Sequence, residues 1–190
     1  MEFYEVVHRR RAVRRYRPDP VPKEVLLRIF DAANWAPSGM NMQQWEFLVV
    51  GGEKKNQIGA SYLKVAEAYT AGWEDAAQRE QFLQFSRTFG GAPLLIVALT
   101  KASSNPATRK MHLESVSAAF QNLLLAACAE GLGSCWMTGP LQDEESIRRI
   151  LDIPPEKEIV ALTPIGYPDM EPPAPPRADP NLSSKVKWLI

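Results

Sequence analysis

Apolar residues recur along this chain at two spacings, and each spacing marks a kind of element. Val25, Leu26, Ile29, Phe30 and Ala33 lie three and four positions apart, the stripe of a helix that buries one face. Pro22 stands near its start, and Pro37 and Gly39 end it. Residues 2–11 predict a shorter helix. Phe3, Val6 and Val7 make its apolar face, and His8 to Arg11 put positive charge at its C-terminus, where the helix dipole favours it. "QWEFLVVGG" predicts a strand closed by a turn, and Glu53 begins another helix. Residues 61–90 predict two helices broken near Gly72. Their apolar pattern is weak and suits a cover over a site better than core.

"APLLIVALT" is a continuous apolar run between turn residues, the mark of a buried strand. The longest helix is predicted near 109–131, where Val116, Ala119, Phe120, Leu123, Leu124 and Ala127 recur at helical spacing. Apolar and small residues nearly encircle it after 116, so it is central in its fold or buried against a second subunit. "SCWMTG" predicts a short strand, "DEESIRRILDIP" a capped helix and "EIVALTPIGYP" another strand. Residues 168–180 then hold six of the 16 prolines, a semi-rigid connector leading to "SSKVKWLI" as a last strand. The expected organisation is one compact domain over 1–167, and an arm over 168–190 whose strand packs on a neighbouring subunit.

Composition narrows the function classes. The 190 residues are 45% hydrophobic and 23% charged, ordinary for a globular domain. Lys plus Arg number 22 and Asp plus Glu 22, so net charge argues against a bulk polyanion binder, and no nucleic-acid partner is expected. Cys128, Cys135, His8 and His112 have no zinc-like spacing, and no metal is expected. No apolar run reaches the ~20 residues that cross a bilayer, and "MEFYEVVHRRR" has no signal-peptide core; a cytoplasmic protein off the membrane is expected. Phosphate-loop, dinucleotide and nucleophile-elbow motifs are absent from the sequence.

Local chemistry concentrates in a few clusters. "HRRRAVRRYRPDP" puts six arginines between positions 9 and 17. Arg10, Arg11 and Arg14 would share a side if helical geometry continued, and could then converge on one phosphate. "APSGMNMQQW" crowds Ser38, Asn41, Gln43 and Gln44 into a helix-to-strand loop that can face a polar heterocycle; taken alone, it reads more readily as a helix cap with turn residues. "WMTGP" offers Trp136 as a flat wall, with Thr138 and Gly139 for close backbone approach; a strand end with a turn reads the same way. "PPAPPRADP" also fits a polyproline partner motif.

"RRAVRRYRPDPVP", "WAPSGMNMQQW", "EGLGSCWMTGP", "TPIGYP" and a late arginine before the final strand stand in one order from residue 9 to 190, and together they resemble the flavin-dependent nitroreductase family. The sequence departs from that pattern at Ala12, where a serine is usual, and at Gln44, where a proline is usual. The resemblance implies an α+β fold: a mostly antiparallel sheet flanked by helices, in an intertwined homodimer with exchanged C-terminal strands. It implies FMN as cofactor, with NADH or NADPH as co-substrate, and a ping-pong cycle that ends on a nitroaromatic, a quinone or a similar small-molecule acceptor. Carried over by position, Arg10, Arg11, Ala12, Arg14 and Arg177 hold the FMN phosphate. Pro37, Ser38 and Asn41 contact the ring from the partner subunit, and Met137, Thr138 and Gly139 pass it near its reactive nitrogen. No side-chain acid or base is implied. Two alternatives stay open: a reductive dehalogenase of the same fold, or a flavin-binding protein without turnover. Deiodinases of this fold carry a threonine before the proline of "GPL", where this chain has Gly139.

Overall fold

The computed structural model describes residues 2–190. Strands β1 (Glu46–Val50), β2 (Leu94–Lys101), β3 (Gly133–Ser134) and β4 (Lys157–Gly166) form one sheet in the order β1-β2-β4-β3. Every ladder in it is antiparallel. Around it lie α1 (Phe3–Arg9), α2 (Lys23–Asn34), α3 (Gly52–Tyr69), α4 (Ala76–Thr88), α5 (Pro106–Ala129) and α6 (Glu144–Leu151). Helices cover both faces, so the expected α+β architecture is present.

The central strand explains the layering. Leu95 to Leu99 of β2 are at most 1% exposed, and successive side chains of a strand point to opposite faces. Ile96 and Ala98 pack with Leu26 and Ile29 of α2 and Val116, Phe120 and Leu123 of α5. Leu95, Val97 and Leu99 pack on the other face with Ile58 and Tyr62 of α3, Phe85 of α4, Phe89 and Ile147 of α6. The β2–β4 register slips between Ala98 and Leu99, which pair with Ala161 and Ile159. Val160 is the extra residue of this bulge, and both it and Ala161 join the α2–α5 side.

The helix predicted from Glu53 and the first of the two predicted after 61 are one element, α3. The break falls after Tyr69, near the expected Gly72. The predicted cover over 61–90 is corrected too: α3 and α4 supply a core layer, burying Ile58, Tyr62, Ala66, Leu83 and Phe85. The pattern was weak because the buried stripe of α3 includes Gly59 and Ser61. A Cβ on Gly59 would lie 2.1 Å from the Arg87 carbonyl oxygen, so the two helices touch backbone to side-chain position there. In α1 only Val6 is buried; Phe3 is 64% exposed, and its predicted face is uncovered within one chain. Within "SCWMTG" only Ser134 belongs to a strand, with Gly133 before it, and one further bridge joins Met137 to Leu162. "SSKVKWLI" forms no strand within the chain, since no ladder links it to any element, and Trp188, Leu189 and Ile190 lie exposed.

Candidate functional site

The arginine run leaves the helix at once. α1 ends at Arg9, and Arg10 has extended backbone at φ −56°, ψ 126°. The helical route by which Arg10, Arg11 and Arg14 would share a side is therefore corrected. Ala12 bridges Ser134 in parallel, and the Val13 N–H donates to the Ser134 carbonyl at 3.0 Å. Val13 is buried against Gly133, whose missing Cβ would lie within 2.7 Å of its side chain. The strand of arginines thus runs into the "SCWMTG" segment. Burial pushes the Cys135 thiol up, and the nearby Arg14 and Arg10 guanidiniums pull against that.

The arginines divide by partner. Arg9 pairs with Glu5 at 3.1 Å, Arg15 with Asp169 at 3.1 Å and Arg17 with Asp19 at 3.4 Å. Arg11 donates to the carbonyls of His8 and Arg10 at 2.6 and 2.8 Å, closing the end of α1. Arg10, Arg14 and Arg177 make no ion pair or side-chain hydrogen bond among the described residues. Arg10 and Arg11 line a cavity of about 460 Å³ with His8, Cys128, Ser134 and Met170. Arg14 is not part of that lining, and Arg177 is exposed on the arm beyond it. A second cavity of about 410 Å³ also holds charge, but there Arg109 pairs with Glu158 at 2.6 Å and Arg148 with Glu144 at 2.7 Å. Its charges answer one another and leave none for an anion.

The loop "APSGMNMQQW" is a strained turn. Met40, Asn41 and Gln43 have φ of 52°, 54° and 48°, a region side chains other than glycine seldom adopt. The Ser38 hydroxyl accepts from the Gln43 N–H at 3.0 Å, and Asn41 Oδ1 accepts from Gln43 Nε2 at 2.8 Å. The Gly39 N–H donates to the Ser115 hydroxyl at 3.1 Å, which fastens the turn to the first half of α5. Pro37 and Asn41 stay exposed. Ser115 and Cys128 are thirteen residues apart on α5, about 20 Å. One chain therefore does not bring Pro37, Ser38 and Asn41 to its own arginines.

Met137 is buried and exchanges two backbone hydrogen bonds with Leu162, at 2.9 and 3.0 Å. Thr138 is exposed, one residue before the short helical turn Gly139–Asp143. A Cβ on Gly139 would lie 3.1 Å from the Tyr62 hydroxyl. Tyr62 continues outward through Phe82, at 6.4 Å between centroids, to Tyr69 and Trp73, each within 6.0 Å of Phe82. Sequence reasoning missed this aromatic wall. Its signal was there in Tyr62 and Tyr69, seven positions apart on one helix face. Burial raises the Tyr62 hydroxyl pKa above its ordinary value, so it stays a neutral donor. Trp136 stands edge-on to Phe120 at 4.7 Å between centroids.

The family model for the Nitroreductase family matches residues 7–167. An iodotyrosine deiodinase of Thermotoga neapolitana is 34% identical, over 92% of this chain and 93% of its own length. A solved iodotyrosine deiodinase bound to FMN and 3-iodo-L-tyrosine is 30% identical, with a TM-score of 0.77 over 93% of this chain and 95% of its own. A solved nitroreductase with bound FMN from Desulfitobacterium hafniense is 25% identical, with a TM-score of 0.75 over the full length of both chains. With the sheet order, the arginine strand and the "MTGP" turn in place, a match of this extent fixes the grouping: the chain belongs to the Nitroreductase family.

Proposed function

We propose that this chain is an FMN-dependent NAD(P)H oxidoreductase that reduces a planar acceptor such as a nitroaromatic or quinone. One observation carries the reading: among the described residues the guanidiniums of Arg10, Arg14 and Arg177 make no ion pair or hydrogen bond, while Arg9, Arg15 and Arg17 each hold a carboxylate. A phosphate dianion fits three uncompensated guanidiniums, which bind it with forked, charge-assisted hydrogen bonds. Ala12 contributes backbone only, and Arg11 contributes the nitrogens not spent on α1. When bound, FMN supplies the electron transfer from NADH or NADPH to the acceptor. Met137, Thr138 and Gly139 give a flat ring close backbone approach. The wall of Tyr62, Phe82, Tyr69 and Trp73 gives a planar acceptor a surface to stack on.

A homodimer completes the site in this reading. An antiparallel twin of α5 would bring Ser115 of one copy level with Cys128 of the other. The loop of Pro37, Ser38 and Asn41 would then reach the other copy's arginines. Exposed Phe3, Tyr4, Leu27, Trp35 and Met40 suit burial between two copies. Reductive dehalogenation is the second reading, favoured by the 34% identity to a deiodinase. Gly139 weighs against it, because it has no hydroxyl to offer the ring. The purified protein is expected to be yellow and to bleach on anaerobic addition of NADH or NADPH. A colourless protein that takes up no FMN on reconstitution contradicts the reading.

A further inference from the structure

Arg15 and Arg17 are not among the residues that line the cavity, and their surroundings assign them a use. The arginine strand is held at both edges. On one edge the Tyr16 N–H donates to the Gly90 carbonyl at 2.9 Å. On the other, the chain leaving β4 zips along it: the Arg17 N–H donates to the Tyr167 carbonyl and the Asp169 N–H to the Arg15 carbonyl, both at 2.9 Å. Tyr16 and Pro168 form the antiparallel bridge between these bonds. Side chains reinforce it. Arg15 Nε donates to the Asp169 carbonyl at 2.7 Å and to its carboxylate at 3.1 Å. The Arg17 guanidinium lies 5.2 Å over the Tyr167 ring. Met170 packs against Val13, Tyr16 and Ala92, and its sulfur accepts from the Arg14 N–H at 3.4 Å.

What leaves this clasp is stiff. Pro172, Pro173, Pro175 and Pro176 lie between Met170 and Arg177. At polyproline extension the seven steps span about 22 Å, so an error of about 10° at the base moves the tip by about 4 Å. That is more than a hydrogen bond tolerates. We infer that Arg15 and Asp169 are positioning residues: with Arg17 on Tyr167, they aim a proline lever that carries Arg177 to the anion site. This rests on the proposed role of Arg177 at the FMN phosphate. The same strand then serves both ends, with Arg10 and Arg14 for the anion and Arg15 and Arg17 for the arm.

The test is a double-mutant cycle on flavin binding, read by flavin fluorescence quenching in protein stripped of flavin and refilled with FMN or riboflavin. Arg15 and Asp169 are both exposed, so Arg15→Ala and Asp169→Ala leave the fold intact. Each is expected to weaken FMN binding about fivefold, the scale of an exposed ion pair with a supporting hydrogen bond, and to leave riboflavin binding unchanged. Arg177→Ala is expected to weaken FMN more, and Arg15→Ala on top of it to add nothing. Additive losses, or an unchanged FMN affinity in Arg15→Ala beside a loss in Arg177→Ala, overturn the inference. An unchanged affinity in Arg177→Ala overturns it as well, since the lever then carries nothing. That last result leaves the proposed oxidoreductase to stand on Arg10 and Arg14.

Discussion

Gly139 sits where the proposed ring comes closest to the backbone, and Tyr62 occupies the space a side chain would take. Replacing it with threonine adds a hydroxyl at that point. The new Cβ, 3.1 Å from the Tyr62 hydroxyl, asks that ring to give by a few tenths of an ångström, a small overpacking cost. The unmodified protein is expected to turn over nitroarenes well and 2-halophenols poorly. Gly139→Thr is expected to move that ratio about tenfold toward dehalogenation, the worth of one hydrogen bond made in one reaction and not the other. Assays of both substrates on both proteins measure it, and an unmoved ratio contradicts the role given to this position. At the same scale, the arginine run shows what a sequence can and cannot carry. Its density pointed to an anion, and the family motif picked out Arg10, Arg11, Arg14 and Arg177. Which members are free depended on Glu5, Asp19 and Asp169, and the last of these lies 154 residues from Arg15.

Among the elements, α2, β2 and α5 were legible because their buried positions are large and apolar and keep a clean period. α3 was not. Its contact with α4 is made by removing side chain at Gly59, and its contact toward the start of α6 uses Ser61, whose hydroxyl donates to Asp143 at 2.5 Å. A hydrophobic pattern cannot see a surface built from absence. Gly59→Ala is expected to cost about 2 kcal/mol, since its Cβ meets backbone at Arg87 that cannot swing away, and to lower Tm by about 5 °C. Gly72→Ala meets nothing within 4 Å and is the control, with Tm expected to stay or rise. Thermal unfolding of the two variants checks this. Equal Tm values would mean that α3 and α4 do not pack as described. β3 was misjudged for a different reason. "SCWMTG" has strand formers at Trp136 and Thr138, but Trp136 packs on Phe120 and the ladder resumes only at Met137.

On the scale of the whole molecule, one chain holds the arginines at one end of α5 and the strained loop at the other. The arm ends in exposed Trp188, Leu189 and Ile190. The sequence signalled these parts, which the proposed homodimer would cover, only as apolar residues with nothing nearby to cover them. The proposed site turns on its unpaired arginines, which are expected to hold a phosphate and through it a flavin. It is tested most directly by comparing FMN with riboflavin, which lacks the phosphate, in the unmodified protein, Arg10→Ala and Arg14→Ala. Each substitution is expected to weaken FMN by about 1.5–3 kcal/mol, the scale of a hydrogen bond to a charged group, and to leave riboflavin nearly unaffected. Equal losses for the two ligands, or none for either, would contradict it.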